Sequence, residues 1–486
     1  MKLKDVLREI PVLRMQADGE TEITDICYDS RKASPGALFV AVKGYETDGH
    51  RYIASALEKG AAVVLCQELP EGEGPFVQVA DSRLALGLSA ANLFGRPAQQ
   101  LQIVGVTGTN GKTTTTSLCR ELLQQLTGTP VGLIGTNRNI VGEKSYDAVN
   151  TTPESRDLQD LFRQMVEAGC RYAVMEVSSH ALSLDRVAGV PFRVGCFTNL
   201  SQDHLDFYGD MDSYLEAKCR LFPLCAASAV NADDPAAGRV LEAAGDNCLR
   251  FGLEGDCMLR AEDLRLLPDR VEFTAVYGDR RTPAKLGIPG RFSVYNALAA
   301  MACCLQLGFP LEETAAALEG CEPVKGRMEV VPTGRDFTLL IDYAVTPDAL
   351  DNMIRTVRAT AGGRVGVLFG CGGDRDRTKR PKMGRVVASL ADYVIITSDN
   401  PRTEDPEAII ADILPGLEGL DTPYVVIPDR REAIFYGVAN AQSGDTLVLT
   451  GKGHETYQII GKEKHHMDER EIVADALKAL EEASWG

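Results

Sequence analysis

The chain has 486 residues, 44% of them hydrophobic and 25% charged, with a formal net charge of −18. That length suggests about three domains at roughly 150 residues each, and the acidity argues against a non-specific nucleic-acid binder, which needs a basic surface. No apolar run approaches the length of a membrane span, Met1-Lys2-Leu3-Lys4-Asp5 starts no signal peptide, and the 13 cysteines show no Cys-x-x-Cys spacing, so the expectation is a cytoplasmic protein with reduced core thiols.

The first segment, to about residue 98, alternates short strands (39–42 and 61–65) with turns and a helix near 53–59. Asp29-Ser30-Arg31 reads as a polar, capped turn, and no catalytic constellation is present in this stretch. The second segment starts on the apolar run 101–104, which leads into Gly105-Val-Thr-Gly-Thr-Asn-Gly-Lys-Thr-Thr-Thr115. A strand, a glycine-rich turn closing on Lys-Thr and a following helix form a phosphate cradle. Gly108, Thr109, Asn110 and Gly111 present backbone N–H groups, and Lys112 supplies a charge for the β/γ-phosphates. The Thr113 hydroxyl is placed for Mg²⁺, with Thr114 beside it in the first helical turn. The competing reading is a glycine-rich turn with a surface lysine.

Strand-like runs recur at 131–134, 172–177, 194–197 and 229–231, with helical patterns at 156–168 and 213–222 between them. That alternation predicts a parallel sheet covered on both faces. Residues 256–289 predict a few antiparallel strands, and 293–307 a closing helix. Glu176 ends one strand, and Ser201-Gln202-Asp203-His204 follows the next. A carboxylate at that sheet edge is the expected partner of a Mg²⁺ held by Thr113 and phosphate oxygens, with His204 a candidate at a second position. Taken by itself, Lys218 reads as a solvated helix lysine. The third segment, from about residue 328, repeats the rhythm with strands predicted at 337–341, 365–369, 393–397, 424–427 and 446–449. Polar motifs follow nearly every strand, which points to one cleft at the carboxyl ends of two α/β sheets.

Seven motifs resemble the Mur ligases: Gly105–Thr115, Asn150-Thr151-Thr152-Pro153-Glu154-Ser155, Glu176–His180, Asn199–Asp206, Asn231–Asp234, Lys325-Gly326-Arg327 and Gly451-Lys452-Gly453-His454-Glu455. They stand in that family's order across nearly the whole chain. Members are ATP-dependent amide-bond-forming ligases that build the peptide of bacterial cell-wall precursors. The resemblance implies an α/β protein of three domains: residues 1–98 for the UDP end of a substrate, 99–327 as a central P-loop ATPase, and 328–486 as a Rossmann-like domain for an incoming amino acid. It implies ATP and two Mg²⁺ ions, with Thr113, Glu176, His204 and Lys218 as metal ligands, Lys218 being carbamylated by CO₂. Lys112, Glu176, His204 and Lys218 would form the catalytic set. By the same likeness Asn296, Arg327 and Asp342 contact the nucleotide, Ser30 the uridine diphosphate, and Asn150, Thr151, Thr152, Ser178 and Arg186 a muramoyl-dipeptide.

Asp399-Asn400-Pro401-Arg402 resembles the version of the motif found in members that add meso-diaminopimelate. A guanidinium grips a carboxylate bidentately, which favours a diamino diacid over lysine. Asp399, Asn400 and Glu455 suit its ammonium groups and Arg375 a further carboxylate, with Pro401 and Gly451 in the same loops. The implied reaction joins meso-diaminopimelate to the D-glutamate γ-carboxylate of a UDP-muramoyl-dipeptide through an acyl phosphate, with domain closure uniting the motifs. The expected partners are those small molecules, met by a monomer without nucleic acid or membrane insertion. Two positions depart from the family pattern, Val345 for a usual histidine and Ser293 for a usual asparagine, and Leu184 replaces a glutamine seen in some relatives. The rival readings are a relative with another substrate, lysine-adding or folylpolyglutamate-type, and a nucleotide-binding regulator that has lost ligation.

Overall fold

The computed structural model describes residues 1–44, 47–267 and 270–484. Among these, the chain builds three α/β units, each around its own largely parallel sheet. The first has five strands in the order Val12–Met15, Phe76–Val79, Val63–Cys66, Ala37–Val40, Asp25–Cys27, parallel except for the edge strand Val12–Met15. Side chains alternate along a strand. Leu38, Val40, Val63 and Leu65 therefore pack on one face, and Phe39, Val64 and Cys66 on the other. Both faces are buried, which is why these strands read as unbroken apolar runs. Asp29–Arg31 is the capped turn expected: the Asp29 carboxylate accepts from Arg31 N in front of the short helical turn Ser30–Lys32.

The central sheet has eleven strands. At its heart the phosphate strand Gln102–Thr107 lies between Phe192–Phe197 and Tyr172–Glu176, parallel to both. Register pairs Glu176 with Val106 and Phe197 with Thr107, so the three strands deliver their following loops to one edge. The expected antiparallel strands are Leu259–Leu266, Val271–Tyr277 and Arg280–Leu286, which extend one end of the sheet. The helix Arg291–Gln306 is buried along most of its length. Its small residues (Ala297, Ala299, Ala300, Ala302) let it lie close against the sheet and the helix Lys112–Thr127. All 13 cysteines are free.

The third sheet has six strands in the order Glu329–Val331, Thr338–Asp342, Thr446–Thr450, Val365–Phe369, Tyr393–Ile396, Tyr424–Val426, parallel except for the first. Helices cover both faces. A hairpin, Tyr457–Ile460 with Glu463–His466, stands apart from it. No described helix is long and apolar enough to cross a membrane.

The first unit docks on the second through polar and close-packed contacts. Tyr28 Oη donates to Asp157 at 2.6 Å, and Arg156 donates to Asp25 at 2.9 Å. Gly87 brings its helix against the backbone of Ala188, where an added Cβ would stand 2.9 Å from the carbonyl oxygen.

Candidate active site

The phosphate loop is held open by its neighbours. Gly108 and Gly111 have φ of +147° and +82°, and a Cβ on either would strike Thr198 Oγ1 or Asn296 Oδ1, so only glycine fits. Asn199 stitches the turn by accepting from Asn110 N at 2.9 Å and donating to Asn110 O at 3.0 Å, and Thr198 Oγ1 donates to the same carbonyl at 2.7 Å. Lys112 starts the helix, and its ammonium donates to Gly108 O and Thr109 O at 3.0 and 2.9 Å. Burial lowers its pKa, against the opposing pull of Glu176 and Asp203. Thr113 Oγ1 accepts from Arg327 at 3.2 Å, and Asn110 donates to Asp348 of the third unit at 3.0 Å, so that unit already touches the loop. Thr114 is buried behind it.

Glu176 is buried, with its carboxylate accepting from Thr136 N and Oγ1 at 2.8 and 3.0 Å. The His204 ring packs edge-on to His180 and Tyr214, and its backbone is left-handed at φ 55°. Burial drives its pKa down to about 3, so the ring is neutral. Lys218 corrects the solvated reading made from the sequence alone: it is 1% exposed, with its nitrogen 4.2 Å from the centre of the Tyr214 ring. The helix Met211–Cys219 turns this residue inward. Burial, aided by the charge of Lys112, holds its amine well below the ordinary lysine range.

Beside them, Thr152 Oγ1 donates to Glu176 O at 2.8 Å and accepts from Ser178 N, while Ser178 Oγ caps the short helix Ser179–Ser183. Arg186 donates to Thr152 O at 3.1 Å and pairs with Glu154. Thr151 and Thr136 share a hydroxyl contact at 3.1 Å.

In the third unit, the loops after Phe369 and Ile396 are tied together. Arg402, left-handed at φ 50°, donates to Gly373 O at 2.7 Å, and Thr403 donates to Asp374. Arg380, almost fully buried, pairs with Glu404 and Asp412 beneath them. Burial lowers the Arg402 pKa, and the nearby Arg375 charge adds to the effect. Two guanidinium groups that disfavour each other mark a place for an anion. Asp399 Oδ2 is buried with no hydrogen-bond partner among the described residues.

All of this converges. One cavity of about 490 Å³ is lined from the central unit by Thr109, Asn110, Gly111, Lys112, Thr113, Asn150, Thr151, Thr152, Glu176, Ser178, Arg186 and His204. From the other side it is lined by Arg327, Arg375, Asp399, Asn400, Arg402, Gly451 and Glu455. Seven expected residues do not line it. Gly108, Thr114, Asn296 and Lys218 lie behind its wall, Asp342 is buried where its carboxylate accepts from Met328 N, Pro401 is buried, and Ser30 belongs to the first unit. The reading of the sequence overlooked Lys379, which also lines the cavity and donates to Asp203 at 3.3 Å across the two units. Burial pushes the Asp203 carboxyl up, and Lys379 and His204 more than reverse this. Lys379 sits in the run Arg375-Asp-Arg-Thr-Lys-Arg380, which looks like a solvated charged face.

Residues 106–304 match the Mur ligase middle domain, 326–453 the Mur ligase glutamate ligase domain, and 22–87 the Mur ligase family catalytic domain. A UDP-N-acetylmuramoyl-L-alanyl-D-glutamate–2,6-diaminopimelate ligase of Caldanaerobacter subterraneus subsp. tengcongensis is 45% identical over 484 residues, covering 99% of this chain and 100% of that one. The chain belongs to the Mur ligase family. A Clostridium botulinum Mur ligase of the same name is 44% identical over 470 residues, covering 95% and 97%. A solved structure of a ligase of that name superposes with a TM-score of 0.70 at 31% identity, covering 99% of each chain.

The donor set of this Mur ligase fits a hard cation at one position: the Thr113 hydroxyl and Glu176 carboxylate are oxygen donors on the same cavity. Among the described residues no three His, Cys, Asp or Glu side chains gather to hold a metal. The departures from the family pattern are of two kinds. Val345 and Leu184 line the cavity, and neither side chain carries a hydrogen-bonding group. Ser293 is buried, and its hydroxyl donates at 2.7 Å to the carbonyl of Pro289, just ahead of its helix.

Proposed function

We propose that this Mur ligase joins meso-2,6-diaminopimelate to the D-glutamate γ-carboxylate of UDP-N-acetylmuramoyl-L-alanyl-D-glutamate, at the expense of ATP, in the cytoplasmic synthesis of peptidoglycan precursors. Residues 1–98 hold the UDP end, with Ser30 among the contacts; 99–327 hold ATP; 328–486 hold the amino acid. The observation that carries the reading is the single cavity shared by Lys112 of the phosphate loop and the guanidinium groups of Arg375 and Arg402. A phosphate and an amino-acid carboxylate bound there would lie within one cavity.

A carboxylate resists attack by an amine because its leaving group would be oxide. Transfer of the γ-phosphoryl group of ATP to the glutamate oxygen gives an acyl phosphate and ADP. The neutral amine then adds to the acyl carbon, the tetrahedral intermediate loses phosphate, and the amine proton leaves. Phosphoryl transfer needs positioning and charge stabilisation more than covalent help. Lys112 offsets charge on the moving phosphoryl group, while Asn296, Arg327 and Asp342 steady the nucleotide. Asn150, Thr151, Thr152, Ser178 and Arg186 align the glutamate. Arg402 and Arg375 bind carboxylates, while Asp399, Asn400 and Glu455 receive ammonium groups. Two Mg²⁺ ions, one at Thr113 and Glu176 and one at His204 and Lys218, would supply Lewis-acid charge neutralisation to the same oxygens. Lys218 would take that role as a carbamate: burial lowers the pKa of its amine, which favours the uncharged form that adds CO₂, and the product N–CO₂⁻ is an oxygen ligand.

The test is amino-acid choice. With ATP and the UDP-muramoyl-dipeptide, incorporation of meso-diaminopimelate should exceed that of L-lysine by on the order of 10²-fold, the worth of one charge-assisted contact. Equal or better use of lysine rejects the substrate assignment, and no phosphate release with every substrate present rejects ligation altogether.

A further inference from the structure

Lys452 is fully buried and does not line the cavity, yet its ammonium touches two residues that do. It donates to Glu455 Oε2 at 2.6 Å and to Asn400 Oδ1 at 2.8 Å. Asn400 Nδ2 donates to the same Glu455 oxygen at 2.9 Å, which closes a three-membered ring of contacts. Asn400 Oδ1 also accepts from Ile459 N at 2.8 Å, so the orientation of the amide is fixed from both ends. The members come from two separate loops, one following Ile396 and one following Thr450. Arg430, equally buried, donates to the backbone oxygens of Ser398 and Thr450, where those loops begin, and pairs with Glu469.

The consequence is a division of labour within one carboxylate. Glu455 Oε2 is taken by Lys452 and Asn400. Among the described residues Glu455 Oε1 has the Tyr343 hydroxyl alone, at 3.4 Å, and Asp399 Oδ2 has no hydrogen-bond partner. Two acceptor oxygens are thus left beside the arginines of the amino-acid side of the cavity. We propose that Lys452 is a positioning residue: its buried charge locks Glu455 and Asn400 so that Glu455 Oε1 and Asp399 Oδ2 form the receptor for an ammonium group of the incoming diamino acid. This deepens the functional reading given above and rests on it. A buried carboxylate that loses its cation pays a large desolvation cost. It then protonates or turns away, and the receptor is lost without any change at the phosphate loop.

The experiment compares Lys452→Met with the native full-length enzyme in two assays. One is the KM for meso-diaminopimelate in the complete reaction. The other is acyl-phosphate formation from ATP and the UDP-muramoyl-dipeptide with the amino acid omitted, trapped by borohydride reduction. The expected result is a KM for the amino acid raised roughly 10–100-fold, with acyl-phosphate formation within about twofold of native. In a Glu455→Gln background, which no longer needs the cation, the same Lys452→Met change should raise KM by less than about threefold further. A purely structural lysine would depress both assays together and act the same in either background. An unchanged KM, a parallel loss in both assays, or additivity with Glu455→Gln overturns the proposal. Lys452→Gln keeps an N–H donor to Asn400 without the charge and stands in if Lys452→Met does not fold. An intermediate KM supports the assignment and an unchanged one overturns it. Failure of both to fold while Glu455→Gln folds normally also overturns it, because the lysine would then serve the fold. If native enzyme ignores meso-diaminopimelate, the functional reading fails separately, and Lys452 is judged by the same ratios on whichever amino acid is accepted.

Discussion

The two walls of the cavity solve opposite problems. The phosphate loop is made of backbone, with glycines at φ +147° and +82° and a cation, Lys112, whose ammonium rests on the loop's own carbonyls. A triphosphate must draw that ammonium off its carbonyls, so the cradle is adjustable. The third unit's wall is made of side chains fixed from below, with Lys452 and Arg430 fully buried and Arg402 pinned to Gly373. Phosphates are alike in every nucleotide, and backbone N–H groups recognise them without regard to the rest of the molecule. Amino acids differ by single groups, and rejecting the wrong one needs polar atoms that cannot relax toward it.

This contrast predicts unequal outcomes for charge changes on the two sides. Lys112→Met removes the phosphate-side cation, and acyl-phosphate formation should fall on the order of 10²–10³-fold, as for loss of one transition-state donor. Retained acyl-phosphate formation would place the phosphoryl charge elsewhere. Arg402→Lys keeps the charge but loses the fork. It should lower kcat/KM for meso-diaminopimelate by about 10–100-fold while KM for the UDP substrate and acyl-phosphate formation stay near native. A uniform loss across all substrates would show that Arg402 does not select the amino acid.

The same contrast explains what the sequence disclosed. The phosphate wall was legible because its chemistry lies in contiguous residues: strand, Gly108 to Lys112, helix. Strands buried on both faces, such as Val365–Phe369, are marked by unbroken apolar runs. The hairpin Arg138–Val141 with Lys144–Asp147 went unseen because its outer strand is exposed throughout and carries no apolar alternation. Strand Cys248–Gly252 pairs in parallel with Cys225–Asn231 across an intervening helix, Ala237–Ala244, and its two fully apolar positions are too few to announce it. Burial of Lys218 could not be read from a helix whose neighbours include Glu216 and Arg220; Tyr214 stands one turn earlier on the same helix, and the burial follows from packing of that helix against Ser179–Ser183 and Ala237–Ala244. Lys379 is a similar case, since its partner Asp203 lies 176 residues away.

Lys379 is also where the two walls meet, and it gives the third prediction. Its contact with Asp203 is joined by Gln202, which donates to Asp376 at 3.3 Å and Thr378 at 3.1 Å. Together these hold the third unit against the loop that carries His204. Lys379→Met should lower kcat of the complete reaction on the order of tenfold, because removing one partner leaves the Asp203 charge buried without it. The effect falls between those at the two walls in kind, since it touches acyl-phosphate formation and amide formation equally. A change below twofold would mean that the contact accompanies closure without supporting it.

The smallest effect concerns His454, beside the amino-acid wall. His454 lies with its ring centroid 5.1 Å from that of Tyr343, and burial pushes its pKa down to about 3, with Arg327, Arg470, Lys325 and Lys452 adding to the effect. The unfolded chain binds this proton near the usual value of about 6.5, so between the two values it holds more protons than the folded one. Stability therefore rises with pH across that window and is lost as pH falls from about 6.5 toward 3. One such group contributes at most about 1.4 kcal/mol per pH unit. His204 is displaced in the same direction, so removing His454 alone should make the acid limb shallower without abolishing it. Calorimetric Tm values for native enzyme and His454→Asn, taken from pH 7 to 5, should diverge at the alkaline end and converge toward the acid end. Parallel Tm curves would show that the His454 ring titrates as freely in the folded chain as in the unfolded one, and that the cations packed around this wall do not exclude a further charge.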